Sequence, residues 1–227
     1  MEMAQGDGAA RRATVILSGG MDSTTLLYWL LAQQYKVRAV TVDYGQRHSK
    51  EILQAMAITQ QLGVPHYVAD LRSLRGMFGK NSQTDASVDV PEGHYTSETM
   101  KATVVPNRNM ILLAVAAGYA IANDCGTLAY GAHAGDHAIY PDCRPEFLAP
   151  MAKAMAACDW QQLNLIAPFI EKTKADIAKT GAELGVPFGM TWSCYKGAVA
   201  HCGKCGTCVE RNEAFKLAGI VDPTTYE

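Results

Sequence analysis

The sequence predicts an α/β fold built on a doubly wound, mostly parallel sheet, with a small metal-binding segment near the C-terminus. Three observations support this prediction. Short β-branched runs alternate with longer helical patterns, a glycine-rich loop joins the first strand to the first helix, and four cysteines lie close together late in the chain. Such alternation produces right-handed βαβ units that bind ligands at the carboxyl ends of their strands.

Strands and helices are expected to alternate over most of the chain. The predicted strands cover residues 14–17, 37–43, 66–70, 127–131 and 163–167. The predicted helices begin near residue 23 and then cover 49–62, 107–122, 145–157 and 174–184, with Thr173 as a good N-cap for the last of them. The polar stretch 80–103 has no clear period and is long for a loop, so it is expected to be a lid or a substrate-binding segment.

Composition and charge limit the possible classes of protein. The 227 residues, 48% of them hydrophobic, are enough for one core and a small appendage. A formal net charge of −2, with scattered lysines and arginines, gives no general attraction to nucleic acid. The longest apolar stretch, 110–122, is too short to span a bilayer, and residues 1–12 lack the apolar core of a secretory signal. We therefore expect a cytoplasmic protein with a flexible leader (1–12), a main domain (13–190) and a C-terminal segment (191–227).

The glycine-rich loop has the sequence LSGGMDSTT at residues 17–25. Gly19 and Gly20 allow successive N–H groups to point into one concavity, and Ser23, Thr24 and the helix start add further donors. An isolated Gly-Gly pair is usually only a turn. This string is neither a Walker A motif nor a dinucleotide-binding GxGxxG, so it predicts an anion site of another kind.

The cysteines form the pattern C-x7-C-x2-C-x2-C at Cys194, Cys202, Cys205 and Cys208. Thiolates two residues apart on glycine-rich turns converge on one cation, and four soft ligands favour structural, tetrahedral Zn²⁺. His201 lies next to a ligand, but four cysteines already complete the coordination shell. An iron–sulfur cluster and unrelated buried thiols are the alternatives.

Longer motifs occur together with the glycine-rich loop and the cysteine pattern. The strings DYGQRHSKE (43–51), VVPNRN (104–109) and GAHAGDHAIYPDCRPEF (131–147), together with SGGMDS and the cysteine pattern, resemble the 7-cyano-7-deazaguanine synthase (QueC) family. This family belongs to the N-type ATP pyrophosphatases, or PP-loop enzymes, with an adenine nucleotide alpha hydrolase-like fold. The resemblance covers residues 14–211 in family order.

The resemblance implies an ATP-dependent conversion of 7-carboxy-7-deazaguanine and ammonia to 7-cyano-7-deazaguanine, in queuosine or related deazaguanine biosynthesis. The carboxylate would be adenylated, ammonia would displace AMP, and a second ATP would activate the amide for elimination to the nitrile. Free ammonia is expected because the synthetase pattern occupies the whole chain. A homodimer without direct nucleic-acid binding is also implied.

The resemblance assigns nucleotide contacts to two motifs. They are Ser18, Gly19, Gly20, Asp22, Ser23 and Thr24 in the loop, and Tyr44, Gln46, Arg47 and His48 after the second strand. Asp22 would be anionic beside phosphates and is therefore expected to hold Mg²⁺. The alternative for Arg47 and His48 is a solvated helix start.

Catalytic roles are carried over to Arg108, Lys174 and Asp136, and substrate contacts to Tyr140, Asp142, Arg144 and Asp136. A carboxylate accepts the adjacent N–H donors of a guanine-like base, and Asp142 is the first choice for this role, before Asp136. Each assignment has an alternative. The VVPNRN motif could serve only to cap a helix through Asn107, and Asp142 could cap the helix that begins after Pro145. Lys174 could be an ordinary exposed surface lysine.

Three other functions stay open on the residues alone. A related enzyme with the same motifs would join the activated carboxylate to another amine. A tRNA-thiolating PP-loop enzyme would need reactive cysteines and a basic surface, which this sequence does not favour. A non-enzymatic zinc-binding module would leave SGGMDS and YPDCR without a role.

Overall fold

A computed structural model describes residues 11–94, 101–136, 140–196 and 199–227. Its centre is a five-stranded parallel sheet with the strand order β3-β2-β1-β4-β5. The strands are β1 (Arg12–Ile16), β2 (Lys36–Asp43), β3 (His66–Asp70), β4 (Thr127–Ala129) and β5 (Asn164–Ile166). Each predicted strand is confirmed, although β4 and β5 are shorter than expected.

The α-helices of the described residues are α1 (Met21–Ala32), α2 (Lys50–Leu62), α3 (Arg108–Ala122), α4 (Pro145–Ala156), α5 (Lys174–Glu183) and α6 (Gly206–Ala218). The first begins two residues before its predicted start, and the next four match predicted helices to within one residue at each end. The sixth was not predicted, although Lys216 in its last turn and Gly219 just beyond it, at φ 69°, are typical end signals.

Helices cover both faces of the sheet, so the fold is doubly wound as predicted. On one face α3 and α4 contribute Leu113 and Met155 to a core with Leu128 and Leu165. On the other face α1, α2 and α5 bury a second set of apolar side chains against β1. These are Leu26, Leu30, Ile58 and Ile177, packed with Val15.

The strand order reverses between β1 and β4. These strands are parallel neighbours, with Ala13 opposite Thr127 and Val15 opposite Ala129. The loop after β1 leads to α1 on one face, whereas α3, which precedes β4, lies on the other. A crevice therefore opens at their carboxyl ends, where open α/β sheets bind their ligands.

The start of α5 is fixed by a capping box. The Thr173 hydroxyl accepts a hydrogen bond from the Asp176 backbone N–H at 3.1 Å, and the Asp176 carboxylate accepts one from the Thr173 N–H at 2.9 Å. Further along, a Cβ on Gly181 would lie 2.7 Å from the Thr25 hydroxyl oxygen, so α5 lies close against α1. The predicted N-cap is confirmed, and Lys174 is held at the first turn of a fixed helix.

The C-terminal segment packs on the sheet domain through α6. Phe215 and Ala214 bury themselves against Met21 of α1 and Ala178 of α5. The Arg211 side chain is completely buried and donates to the Phe188 carbonyl at 3.0 Å.

The charge of Arg211 is balanced by Asp222, whose carboxylate lies 3.3 Å away and also accepts a hydrogen bond from the Tyr226 hydroxyl at 2.5 Å. Because a buried charge needs a charged and hydrogen-bonded partner, this pair fastens the chain end to α6.

The polar stretch 80–103 begins as an ordered, buried turn. Asn81 accepts hydrogen bonds from the Gln83 and Thr84 backbone N–H groups, both at 3.0 Å. Further on, Glu92 pairs with Cys205 in an isolated antiparallel bridge. Residues 95–100 lie outside the described part of the chain, so the lid prediction stays a prediction. No helix among the described residues is long and apolar enough to cross a membrane.

Candidate functional site

A cleft lies at the carboxyl ends of β1 and β4 and has two adjoining compartments. The inner compartment, about 220 Å³, has apolar walls that include Leu17, Val42 and Leu113. The outer compartment, about 130 Å³, is lined by polar groups that include Lys174 and Glu210. The residues common to both are Ser18, Asp22, Glu51, Arg108, Asp136 and Tyr195.

The glycine-rich loop joins β1 to α1 and forms one wall of the cleft. The backbone N–H of Ser18 donates to the Ser23 hydroxyl at 3.1 Å, and the Gly20 N–H donates to the Ser18 hydroxyl at 3.2 Å. Gly19 has a φ of 89°, which only glycine adopts readily. Of the predicted loop contacts, Gly19 and Thr24 line neither compartment, and Thr24 is fully buried inside α1.

Two basic side chains, Lys174 and His133, connect the acidic groups of the outer compartment. Lys174 Nζ lies 3.0 Å from the Glu210 carboxylate and 3.9 Å from that of Asp22. His133 Nε2 lies 3.7 Å from Asp22 and 3.3 Å from Asp136. The Lys174 side chain is only 19% exposed, so it is not an ordinary surface lysine.

Charge pairing sets the protonation states in this network. Burial alone would raise the pKa of Asp22, but Lys174 and His133 lower it to about 2. Burial would lower the pKa values of Lys174 and His133, yet the neighbouring carboxylates raise both. Asp22 therefore carries a negative charge at neutral pH. Its Oδ1 atom is buried and makes no hydrogen bond in the structure, so it is available to a cation.

Arg108 stands at the head of α3 and lines both compartments. Burial alone would lower its pKa, but Tyr44 and Tyr195 raise it well above the ordinary value, so the guanidinium stays charged. Asn107 precedes the helix at φ 57° and its side chain makes no capping hydrogen bond. The alternative of helix capping by Asn107 is therefore wrong.

The two aspartates proposed as base readers lie in different places. Asp136 lines both compartments. Asp142 lines an adjoining third pocket of about 230 Å³ together with Arg108 and Tyr140, and its carboxylate accepts the Asn109 backbone N–H at 3.2 Å.

Asp142 thus caps the start of α3. The alternative in which it caps the helix after Pro145 is wrong, because Arg144 is the N-cap residue of α4 and that cap has no side-chain hydrogen bond. Arg144 lines neither compartment of the cleft.

The motif after β2 divides into separate roles. Tyr44 and His48 line the inner compartment. Gln46 is buried, accepts the Tyr44 N–H at 3.0 Å and donates to the Glu51 carboxylate at 3.1 Å. Arg47 donates instead to the Val88 carbonyl at 2.8 Å, so it fastens the polar stretch and is not a solvated helix start.

Glu51, Tyr195 and Glu210 are among the cleft residues that sequence reasoning missed. Glu51 closes the DYGQRHSKE string, Tyr195 follows the first cysteine of the cluster, and Glu210 lies two positions after the last. Nothing in their spacing separates them from surface residues. Only the packing of α2 and α6 around the cleft brings them into it.

The four cysteines converge as predicted. Their Sγ atoms all lie within 4.8 Å of one another, and all four residues are buried. The backbone N–H groups of Lys204 and Cys205 point at Cys202 Sγ, at 3.4 and 3.3 Å. Such N–H groups favour a thiolate over a thiol, so the donor set fits a bound metal ion.

His201 is not part of this donor set. Its Nε2 accepts the Ser193 N–H at 3.1 Å, and its ring packs on Trp192 at a centroid distance of 4.2 Å. The cysteine group alone is therefore a candidate zinc site.

Comparison with known proteins agrees with this geometry. A family model described as queuosine biosynthesis protein QueC matches residues 12–219. The 7-cyano-7-deazaguanine synthase of Methanoregula boonei is 55% identical over 216 residues, which is 95% of this chain and 99% of the relative. That of Caldicellulosiruptor saccharolyticus is 51% identical, over 95% and 96%, and that of Psychromonas ingrahamii 47% identical, over 96% and 99%.

Among solved structures, NMN synthetase from Francisella tularensis superposes with a TM-score of 0.53 at 14% identity, over 93% of this chain and 79% of that one. This likeness concerns the fold alone. The family match and the identities to curated relatives extend over nearly the whole chain, and on these grounds the chain belongs to the QueC family of queuosine biosynthesis proteins.

Proposed function

We propose that this protein is a 7-cyano-7-deazaguanine synthase, which uses ATP and ammonia to convert 7-carboxy-7-deazaguanine to the nitrile. Family membership makes the chain an enzyme. The observation that carries the proposed reaction is the outer compartment, where the glycine-rich loop meets Lys174, Asp22 and Arg108 at the switch point of the sheet. This is the charge pattern that an adenylation reaction needs.

ATP is assigned to the loop and the inner compartment. The apolar walls formed by Leu17, Val42 and Leu113 suit an adenine ring, and the N–H groups of the loop suit the β- and γ-phosphates. Lys174 would stabilise the negative charge that grows on the leaving pyrophosphate. Asp22 would hold Mg²⁺ through its unpaired Oδ1, and this ion would neutralise phosphate charge when bound.

The deazaguanine is assigned to the side of the cleft formed by Arg108, Tyr140 and the two aspartates. The charged guanidinium would orient the substrate carboxylate as a bidentate donor. Asp142 would accept the ring N–H and the exocyclic amine of the base, with Asp136 as the second choice. Tyr140 connects the outer compartment with the third pocket.

The reaction then has two activations. In the first, the substrate carboxylate oxygen attacks the α-phosphorus of ATP, and pyrophosphate leaves. Ammonia forms a C–N bond at the acyl carbon, and AMP leaves to give the amide. In the second, the amide oxygen attacks the α-phosphorus of another ATP, pyrophosphate leaves, and the amide nitrogen loses one proton. Loss of AMP and of the remaining N–H proton then gives the nitrile.

Two structural properties complete the proposal. The four cysteines would hold a structural Zn²⁺, because four convergent thiolates leave no open coordination position. The enzyme would act in the cytoplasm as a homodimer. Light scattering after size-exclusion chromatography tests the dimer directly.

The function is tested by mass spectrometry of the product formed from ATP, ammonium and 7-carboxy-7-deazaguanine. The expected products are the nitrile, AMP and pyrophosphate, with one AMP for each activation. Accumulation of the acyl adenylate or the amide despite excess ammonium would contradict the proposal and favour another acceptor amine.

A further inference from the structure

Glu51 differs from the other acidic side chains that line the cleft. Asp22 and Glu210 are paired with Lys174, and Asp136 with His133, whose pKa is raised.

The ion-pair partner of Glu51 within the described residues is His48, at 3.4 Å. Burial and Arg108 lower the pKa of His48 to about 3, so this imidazole is neutral at pH 7. Glu51 is therefore an acid in the cleft without a protonated partner in direct contact.

The position of Glu51 suits contact with a small ligand. Its side chain is 12% exposed and lines both compartments, between the assigned ATP and substrate positions. Gln46 Nε2 holds one carboxylate oxygen at 3.1 Å, and His48 Nε2 faces the other. When His48 donates from Nε2, its Nδ1 is an acceptor, and this atom is buried without a hydrogen-bond partner.

Several charged or titratable groups surround Glu51. Asp43 faces it from the end of β2 and Arg108 from α3, while Tyr195 packs on His48 at a centroid distance of 4.8 Å. Burial raises the pKa of Glu51 to about 8, in spite of the Gln46 hydrogen bond and the Arg108 charge, which lower it. With this pKa, Glu51 is mostly protonated at pH 7 and mostly ionised above pH 8. A bound cation favours the ionised form, and that form is a stronger base than an ordinary carboxylate.

We propose that Glu51 binds ammonium at the junction of the two compartments and accepts its proton, so that the nucleophile is generated inside the cleft. This role rests on the proposed function. The ligand is a compact monovalent cation with N–H donors only, and the ionised Glu51 carboxylate is an acceptor without a competing positive charge in direct contact.

The proton and electron balance is simple. Ammonium transfers one proton to the Glu51 carboxylate, which leaves NH₃ and a neutral acid. The nitrogen lone pair forms the C–N bond to the acyl adenylate, the C–O bond to phosphate breaks, and AMP leaves with that electron pair. The adduct nitrogen loses its extra proton to the departing phosphate, and Glu51 returns its own proton to solvent before the next turnover.

The test compares two nucleophiles in the full-length Glu51→Gln enzyme. The reactions are run at about pH 8.5, above the pKa of Glu51. Hydroxylamine is unprotonated at this pH and does not need a base to generate it, whereas most of the ammonium still carries its extra proton. We expect kcat/KM for ammonium to fall about 100-fold or more, the range for loss of a general base. The kcat/KM for hydroxylamine should fall far less, because this nucleophile does not need the base. Glu183→Gln, at an exposed position on α5, is the matched control and should retain both activities.

Pyrophosphate exchange into ATP, dependent on 7-carboxy-7-deazaguanine, separates this proposal from the proposed function. If wild-type enzyme shows no exchange, the proposed function is wrong. If exchange is normal in wild type and Glu51→Gln loses both nucleophiles equally or loses exchange itself, Glu51 has a structural or ATP-binding role. An unchanged kcat/KM for ammonium in that variant would also overturn the ammonium role.

Discussion

The alpha carbon of Gly19 lies against the first turn of α2, so that a Cβ at this position would stand 2.1 Å from the carbonyl oxygen of Glu51. The glycine-rich loop and α2 are therefore in backbone contact. Position 19 needs glycine for two reasons. The backbone there has a φ of 89°, and a side chain would displace the helix that carries Glu51.

The first prediction separates these two needs. Gly63 also has a positive φ, 63°, but a Cβ there would meet nothing within 4 Å. Gly63→Ala should lower the free energy of unfolding by about 1 kcal/mol, the cost of the backbone conformation alone. Gly19→Ala should cost at least about 3 kcal/mol, since a core overlap adds to that cost. Urea unfolding of both variants measures the difference, and equal losses would show that α2 does not restrict this position.

The second prediction concerns the acid sensitivity of the Asp22 network. Because the folded pKa of Asp22 is lowered from its ordinary value of 3.8 to about 2, its ionised form stabilises the fold above pH 4. This contribution is lost as the pH falls through 2. Between pH 6 and pH 3, wild-type protein should lose about 1 kcal/mol more stability than Asp22→Asn.

Urea unfolding at both pH values gives this comparison. Protonation of the cysteine cluster affects both proteins and cancels in the difference. A parallel loss in the two proteins would mean that Lys174 and His133 do not hold Asp22 in its ionised form.

Sequence reasoning predicted the sheet, five of the helices and the convergence of the cysteines, because periodicity and motif spacing act locally. It failed where a role depends on which way a side chain points. Arg47 and His48 are neighbours in one motif, yet Arg47 fastens the polar stretch while His48 lines the inner compartment. Thr24 shares the glycine-rich loop with Ser23 but is buried inside α1.

Helix α6 was not predicted for a different reason. The cysteine pattern was interpreted only as a set of metal ligands, although the last of these predicted ligands, Cys208, already lies within the helix. Glu210 reaches the cleft only because α6 packs on α5, and Lys174 is the partner that it meets there. Tertiary packing of this kind leaves no local pattern in the sequence.

The third prediction links the cysteine cluster to the cleft. Cys205 is the N-cap of α6 and Glu210 lies on the same helix, 3.0 Å from Lys174. Loss of the metal should therefore loosen α6 and release Lys174. We expect one zinc per chain, a colourless protein, and loss of both activity and thermal stability in Cys208→Ser.

Elemental analysis and absorption spectra check the metal, and substrate-dependent pyrophosphate exchange checks the cleft. A brown protein containing iron and labile sulfide would establish the alternative of an iron–sulfur cluster. Full exchange activity in the metal-free protein would show that the cluster does not position Lys174.

The last prediction decides which aspartate reads the base. Asp142 both caps α3 and lines the third pocket, so its loss has a structural and a binding component. Asp142→Ser keeps an oxygen that can accept the Asn109 N–H but removes the paired acceptors for a guanine-like edge. We expect this variant to keep its melting temperature and its KM for ATP, while KM for 7-carboxy-7-deazaguanine rises about 100-fold, since a buried charged hydrogen-bond pair is worth roughly 3 kcal/mol. Asp136→Ser is the matched comparison. If the rise in KM belongs to Asp136→Ser instead, the base lies between the two compartments and the third pocket is not part of the substrate site.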